Sequence, residues 1–227
     1  MKTLIYVPII HSSADMGSMG KELNKKGISE FGEDVWKTHI NTVNGFWEAI
    51  EHYFKTIDIY IKGIKIYQDG MFVDGEFAMK IVEESIKLGS KNYEIVLNLI
   101  NRGAILIKTE DFKLVKEEYD GLQSIIKSKN NIEKLILLLK YKISKPRLLN
   151  RRDKYIAGRI AETLGPYETG ILFIGAYHNI IKRLPKDITV VELKEIAKIR
   201  EYQKGIRFYG KVKSQRLEQL TQYMIKR

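Results

Sequence analysis

Two stretches of this chain are apolar at nearly every position, and each is too short to be a helix. They are Leu4-Ile5-Tyr6-Val7-Pro8-Ile9-Ile10 and Gly170-Ile171-Leu172-Phe173-Ile174-Gly175. A strand with one wet face alternates apolar and polar residues; a strand without alternation has to be covered on both faces. Crossover helices supply that cover, so the runs point to a parallel sheet between layers of helix. Ala104-Ile105-Leu106-Ile107-Lys108 and Ile188-Thr189-Val190-Val191 read as two further strands. Ile57-Asp58-Ile59-Tyr60-Ile61 alternates with period two and reads as another.

Helical patterns fill the intervals. Val43, Phe46, Trp47, Ile50, Tyr53 and Phe54 recur at helical spacing between Asn41 and Thr56. Phe77 to Leu88 is amphipathic and stopped by Gly89, after which Ser90 or Asn92 can cap a helix running through Ile95, Val96, Leu99 and Ile100. Phe112–Lys127 and Ile132–Ile143 follow, with Asn130 or Asn131 as the cap between them. Lys145-Pro146-Arg147 is expected to break the second, and Arg151 to Leu164 to form a separate helix closed by Gly165-Pro166. The reading is an α/β fold: a largely parallel sheet with surrounding helices, one domain, and a basic helical C-terminus. Residues 1–195 make the core on this reading, and 196–227 a basic, mainly helical extension packed on it.

Composition narrows the function classes. At 227 residues with 44% hydrophobic and 30% charged side chains, the chain can bury a core that needs no disulfide. Cysteine is absent, which excludes disulfides, Cys-ligated zinc, iron–sulfur clusters and a catalytic thiol. No apolar run reaches 18 residues, so no membrane partner is expected. The N-terminus lacks a signal-peptide core, and a cytoplasmic location is expected. Lys and Arg number 39 against 28 acidic residues, a net charge of +11. That balance suits nucleic acid or another anionic partner, and it equally suits a genome rich in Lys and Ile. Homo-oligomerisation is left open.

Ligands of an open parallel sheet collect at the carboxyl ends of its strands. The first strand delivers His11, Ser12 and Asp15 there, the Ala104–Lys108 strand Glu110 and Asp111, and the Ile171–Gly175 strand Tyr177, His178 and Asn179. An imidazole can act as general base near neutral pH or ligate a divalent metal, and a carboxylate can orient it. His11, His178, Glu110 and Asp111 are therefore the candidate catalytic residues, with His11 and His178 as ligands if a divalent metal is the cofactor. Ser12, Asp15, Tyr177 and Asn179 are candidate substrate contacts. The alternative is that each histidine only caps a strand end.

Arg152, near Arg147, Arg151 and Arg159, is a candidate grip for an acidic small-molecule substrate, while Asp153 is equally explained by the dipole of a helix starting there. Gly17-Ser18-Met19-Gly20 lacks the Lys-Ser/Thr of a phosphate loop and reads as a flexible lid. Basic and aromatic residues interleave from Lys198 to Arg227, with Tyr202, Phe208, Tyr209 and Tyr223 among them. Such a surface can bind single-stranded nucleic acid or be the outer face of a packed helix.

Gly175-Ala176-Tyr177-His178 follows a buried strand, Arg152-Asp153-Lys154-Tyr155-Ile156-Ala157 precedes that strand, and His11 follows the first one. In this order the chain, over roughly residues 4 to 195, resembles the TraB/ChaN/erythromycin-esterase superfamily. That group carries GxxH late in the chain after a helix that often begins Arg-Asp. The resemblance implies a hydrolase-type enzyme with a histidine and carboxylate site at the strand ends. Two positions depart from the pattern. Pro8 stands where a glycine is expected, and the Ile57–Ile61 strand ends in Lys62-Gly63, where metal-dependent peptidases of the Tiki kind have glutamates.

Overall fold

A computed structural model describes residues 1–12, 15, 20–207 and 214–226. Strand β1 (Lys2–Ile9) pairs in parallel with β4 (Thr169–Gly175), the central strand of the sheet, on one side and with β5 (Ile188–Glu192) on the other. Beyond β4 lie β2 (Lys65–Gln68) and then β3 (Ile105–Ile107), giving the order β3-β2-β4-β1-β5 with every pair parallel. The connections are helical: α1 (Gly20–Phe31) and α2 (Glu33–Thr56) after β1, then α3 (Gly75–Lys87) and α4 (Lys91–Asn101) after β2. After β3 come α5 (Phe112–Lys127) and α6 (Asn131–Thr163), and after β5 come α7 (Ile196–Arg207) and α8 (Ser214–Ile225).

The unbroken apolar runs are explained by two cores. Ile5, Val7, Ile9, Ile66, Ile171 and Phe173 project into the larger one, against residues of α2, α3, α4, α7 and α8. Leu4, Tyr6, Tyr67, Leu172 and Ile174 project to the other face, where Ile156, Ala157 and Ile160 of α6 cover them. Ile199 and Tyr202 of α7 and Leu220 and Met224 of α8 are buried in the larger core. The region 196–227 therefore shares that core through its described helices.

Two sequence expectations are corrected. Ile57–Ile61 is not a strand: Ile57 N–H caps α2 by donating to the Tyr53 carbonyl, and Ile61 accepts from Ile64 N–H in a turn. Its alternation reflects an extended segment lying half on the core, with Tyr60 in solvent. The strand is the four-residue Lys65–Gln68, too short to show a period.

Nor does Pro146 end a helix. α6 runs through it from Asn131 to Thr163. Proline removes one helical N–H and crowds the preceding turn, at about 3 kcal/mol. Packing on both sides of the proline, on α5 before it and on the sheet after it, holds the helix together.

Candidate functional site

Parallel order brings the carboxyl ends of β1, β4 and β2 side by side, and the residue after β2 is Asp69. Its N–H donates to the Phe173 carbonyl at 2.9 Å, which extends the β2–β4 ladder by one rung. Asp69 Oδ2 then accepts the Gly175 N–H at 2.9 Å. His178 Nε2 lies 3.8 Å from that same oxygen and His11 Nε2 lies 3.9 Å from it. The two histidines picked out in the sequence thus converge on one carboxylate. Gly175 permits this approach, since a Cβ there would stand 3.1 Å from Asp69 Oδ2 and 3.7 Å from His11 Nε2.

Behind Asp69 is a buried guanidinium. Arg152 on α6 donates from Nη2 to Asp69 Oδ1 at 2.8 Å and from Nε to Glu110 Oε2 at 2.6 Å, and it also bonds Glu110 Oε1 and Glu118. Glu110 is fixed in turn: its Oε1 accepts the Gly70 N–H at 2.8 Å, and its own N–H donates to the Met71 carbonyl. Burial disfavours charge on all of these groups. For Arg152 the Glu110 hydrogen bonds and the charges of Asp69, Glu110 and Glu118 outweigh burial, and the guanidinium is held more firmly protonated than usual. At Asp69 burial is likewise outweighed, by His178, Arg152 and His11, and its carboxyl stays well below the ordinary range. Glu110 goes the other way. Burial raises its carboxyl despite the Arg152 hydrogen bond, and the neighbouring Asp69 charge adds to the rise.

His178 is the most constrained imidazole. Its Nδ1 lies 2.6 Å from Asp153 Oδ1, and Asp153 Oδ2 accepts the Asn179 N–H at 2.9 Å. An ionised carboxylate only accepts, so Nδ1 carries the hydrogen and Nε2 of the neutral ring keeps its lone pair, turned toward Asp69. Burial alone would lower the His178 pKa, but Asp69 and the Asp153 hydrogen bond raise it above the usual 6.5. The backbone is clamped as well. Arg200 on α7 donates from Nε to the Ala176 carbonyl at 2.5 Å and from Nη2 to the His178 carbonyl at 2.9 Å.

Asp15 Oδ2 accepts from Ser12 N–H at 2.6 Å and Ser12 Oγ at 2.9 Å, while its Oδ1 takes the Ser90 hydroxyl. This ties the loop after β1 to the start of α4, where Ser90 is the N-cap. Asp111 accepts from Lys113 and Leu114 N–H as the N-cap of α5, a structural post outside the cluster. Tyr177 is exposed, and so is Asn179, which contributes its backbone N–H to Asp153.

Arg152 cannot serve as the expected grip on an acidic substrate, because its donors are directed at three protein carboxylates. Arg159 bonds the Lys108 carbonyl and Glu162. Asp153 lies deep within α6, so the helix-dipole explanation does not apply to it. The candidate lid residues Gly17, Ser18 and Met19 lie outside the described residues, as do Phe208 and Tyr209 of the basic terminal segment. Tyr202 is buried, and Tyr223 lies under the Lys194 and Lys198 ammonium groups.

Asp69 and Glu118 are not among the sequence candidates, and Arg200 stands there only as one of the basic residues of the terminal segment. Asp69 follows a strand whose position the Ile57–Ile61 alternation obscured; Glu118 and Arg200 carry no local signal. For a divalent metal the fit is poor. Among the described residues no group of three or more His, Asp or Glu side chains is arranged to hold one. Asp69, the carboxylate both histidines face, already receives Arg152 and Gly175 N–H, and the guanidinium repels a second cation. Comparison with family models, with curated proteins and with solved structures finds no match to this chain.

Proposed function

We propose that the chain is a hydrolase-type enzyme that uses His178 as general base, with His11 beside it at the open side of the site. The observation that carries this is the Asp153–His178 pair: a carboxylate on Nδ1, and an Nε2 that faces Asp69 at the carboxyl ends of the strands, where His11 Nε2 also lies. In the step proposed, a water gives a proton to His178 Nε2 while its oxygen bonds to the substrate's acyl carbon. The imidazolium then returns that proton to the leaving oxygen or nitrogen as the acyl bond breaks. Asp153 holds the tautomer and stabilises the imidazolium. The upward shift of His178 makes it a stronger base than a free imidazole.

The TraB/ChaN/erythromycin-esterase resemblance is compatible with this reading, although its departures stand: Pro8 keeps the glycine position, and the residue after the strand Lys65–Gln68 is Asp69, an aspartate already bonded to Arg152, where glutamates are expected. The substrate proposed is an uncharged ester, lactone or amide, since Arg152 is committed to Asp69, Glu110 and Glu118. The test is a panel of such compounds assayed with the wild-type chain and with His178→Ala. At least one should be hydrolysed, with the variant slower by about 10²–10⁴-fold. Equal rates for the two proteins, or no turnover across the panel, would sink the proposal.

A further inference from the structure

We infer that the N-terminal half of α6 is a pairing surface for a second copy of this chain, docked antiparallel about a two-fold axis. Ile132, Ile136, Leu139 and Ile143 are spaced four, three and four apart, a heptad seam of two repeats. The opposite side of the helix meets α5, where Tyr141 donates its hydroxyl to Glu118 at 3.2 Å and packs at Gly121. The seam therefore points away from the domain. Together with Leu135 and Leu138, its residues are between 43% and 75% exposed. At about 200 Å² for a fully exposed aliphatic residue, the six present roughly 700 Å². That exceeds the ~300–600 Å² patch typical of a monomer and approaches the ~800 Å² each partner contributes to a stable interface.

The apolar layers of the seam match in either direction, and the charges flanking it favour the antiparallel one. Antiparallel pairing sets Ile136 against the second copy's Leu139 and Ile132 against its Ile143, and symmetry repeats both layers. Glu133 then faces the second copy's Lys140, and Leu135 lies along the stem of its Lys142. Parallel pairing would instead bring Lys142 against Arg147 of the second copy, a like-charge contact. Pro146 continues the same stripe and ends it, where the helix turns its packing to the sheet.

The test is the mass of the full chain in solution at tens of micromolar, by light scattering during size exclusion. Twice the mass of one chain is expected, and one chain mass is expected for Ile136→Glu/Leu139→Glu with an unchanged far-ultraviolet circular dichroism spectrum. Glu133→Lys alone and Lys140→Glu alone should each raise the dimer dissociation constant roughly tenfold or more, and the double exchange should restore it. A monomeric wild-type chain overturns the inference. So does a dimer that survives Ile136→Glu/Leu139→Glu, and failure of the double exchange overturns the antiparallel register. Sedimentation of a monomeric wild-type chain with phosphatidylglycerol vesicles, lost in Ile136→Glu/Leu139→Glu, would assign the stripe to a lipid surface instead.

Discussion

Helix α6 is one continuous element with two opposite surroundings. Its C-terminal half buries a guanidinium and a carboxylate, Arg152 and Asp153, between the sheet and α5. Its N-terminal half keeps four of the five aliphatic residues from Leu135 to Leu139 in the open. Each half inverts the usual partition, in which charge stays wet and aliphatic side chains are covered. A buried charge is tolerated only with partners that replace water. The C-terminal half has them, in Asp69, Glu110, Glu118 and His178. The exposed aliphatics have no such partners within the described chain. The contrast separates a requirement met inside the molecule from one left to be met by another molecule.

The largest effect should come from removing the charge at the centre of the buried half. Arg152→Met leaves Asp69, Glu110 and Glu118 facing one another without a cation, and breaking a buried pair of this kind costs about 3–5 kcal/mol. Urea unfolding followed by circular dichroism measures it. A loss under about 1 kcal/mol would mean that the cluster relaxes into water, and the contrast between the halves would fail.

A paired truncation sharpens the same contrast. Ile156, fully buried against the sheet, should lose about 2–5 kcal/mol as Ile156→Ala. Leu139→Gln, which keeps helix propensity while removing an exposed aliphatic, should change stability by no more than about 0.5 kcal/mol at concentrations where the chain is monomeric. Comparable losses at the two positions would show that the outer stripe is covered within the monomer.

Legibility of the sequence followed the same division. Strands β1 and β4 could be read directly, since a strand buried on both faces leaves an unbroken apolar run. β2 could not, because four residues show no period and a neighbouring alternating segment imitated a strand better. That error hid Asp69 and with it the point on which His11 and His178 converge. Glu110 and His178 were legible because each follows an apolar run closely. Arg200 was not, since it reaches the His178 loop from a helix about twenty residues further along, and nothing local marks a residue that acts across the fold. The α6 pattern announced a helix but not its orientation. Periodicity tells that a stripe exists, and only packing tells whether the stripe meets the core.

The smallest effect is also the most specific to the buried half. His178 has a folded-state pKa raised above its unfolded value by Asp69 and Asp153 against the opposing effect of burial. The stability this contributes is fully present below the unfolded pKa of about 6.5 and is lost as pH rises through the higher folded value. In Asp153→Asn the hydrogen bond to a carboxylate is gone, burial weighs more heavily, and the folded pKa falls. The stability difference between wild type and Asp153→Asn should therefore be larger at pH 6 than at pH 9, as read by unfolding midpoints across that range. The apparent pKa of the acid limb of any hydrolysis should move down in the same variant, because the base must be neutral to accept a proton. Leu139→Gln should leave both pH profiles unchanged. A flat difference from pH 6 to pH 9 would mean that Asp153 holds His178 by geometry alone and that its charge does not set the basicity of the ring.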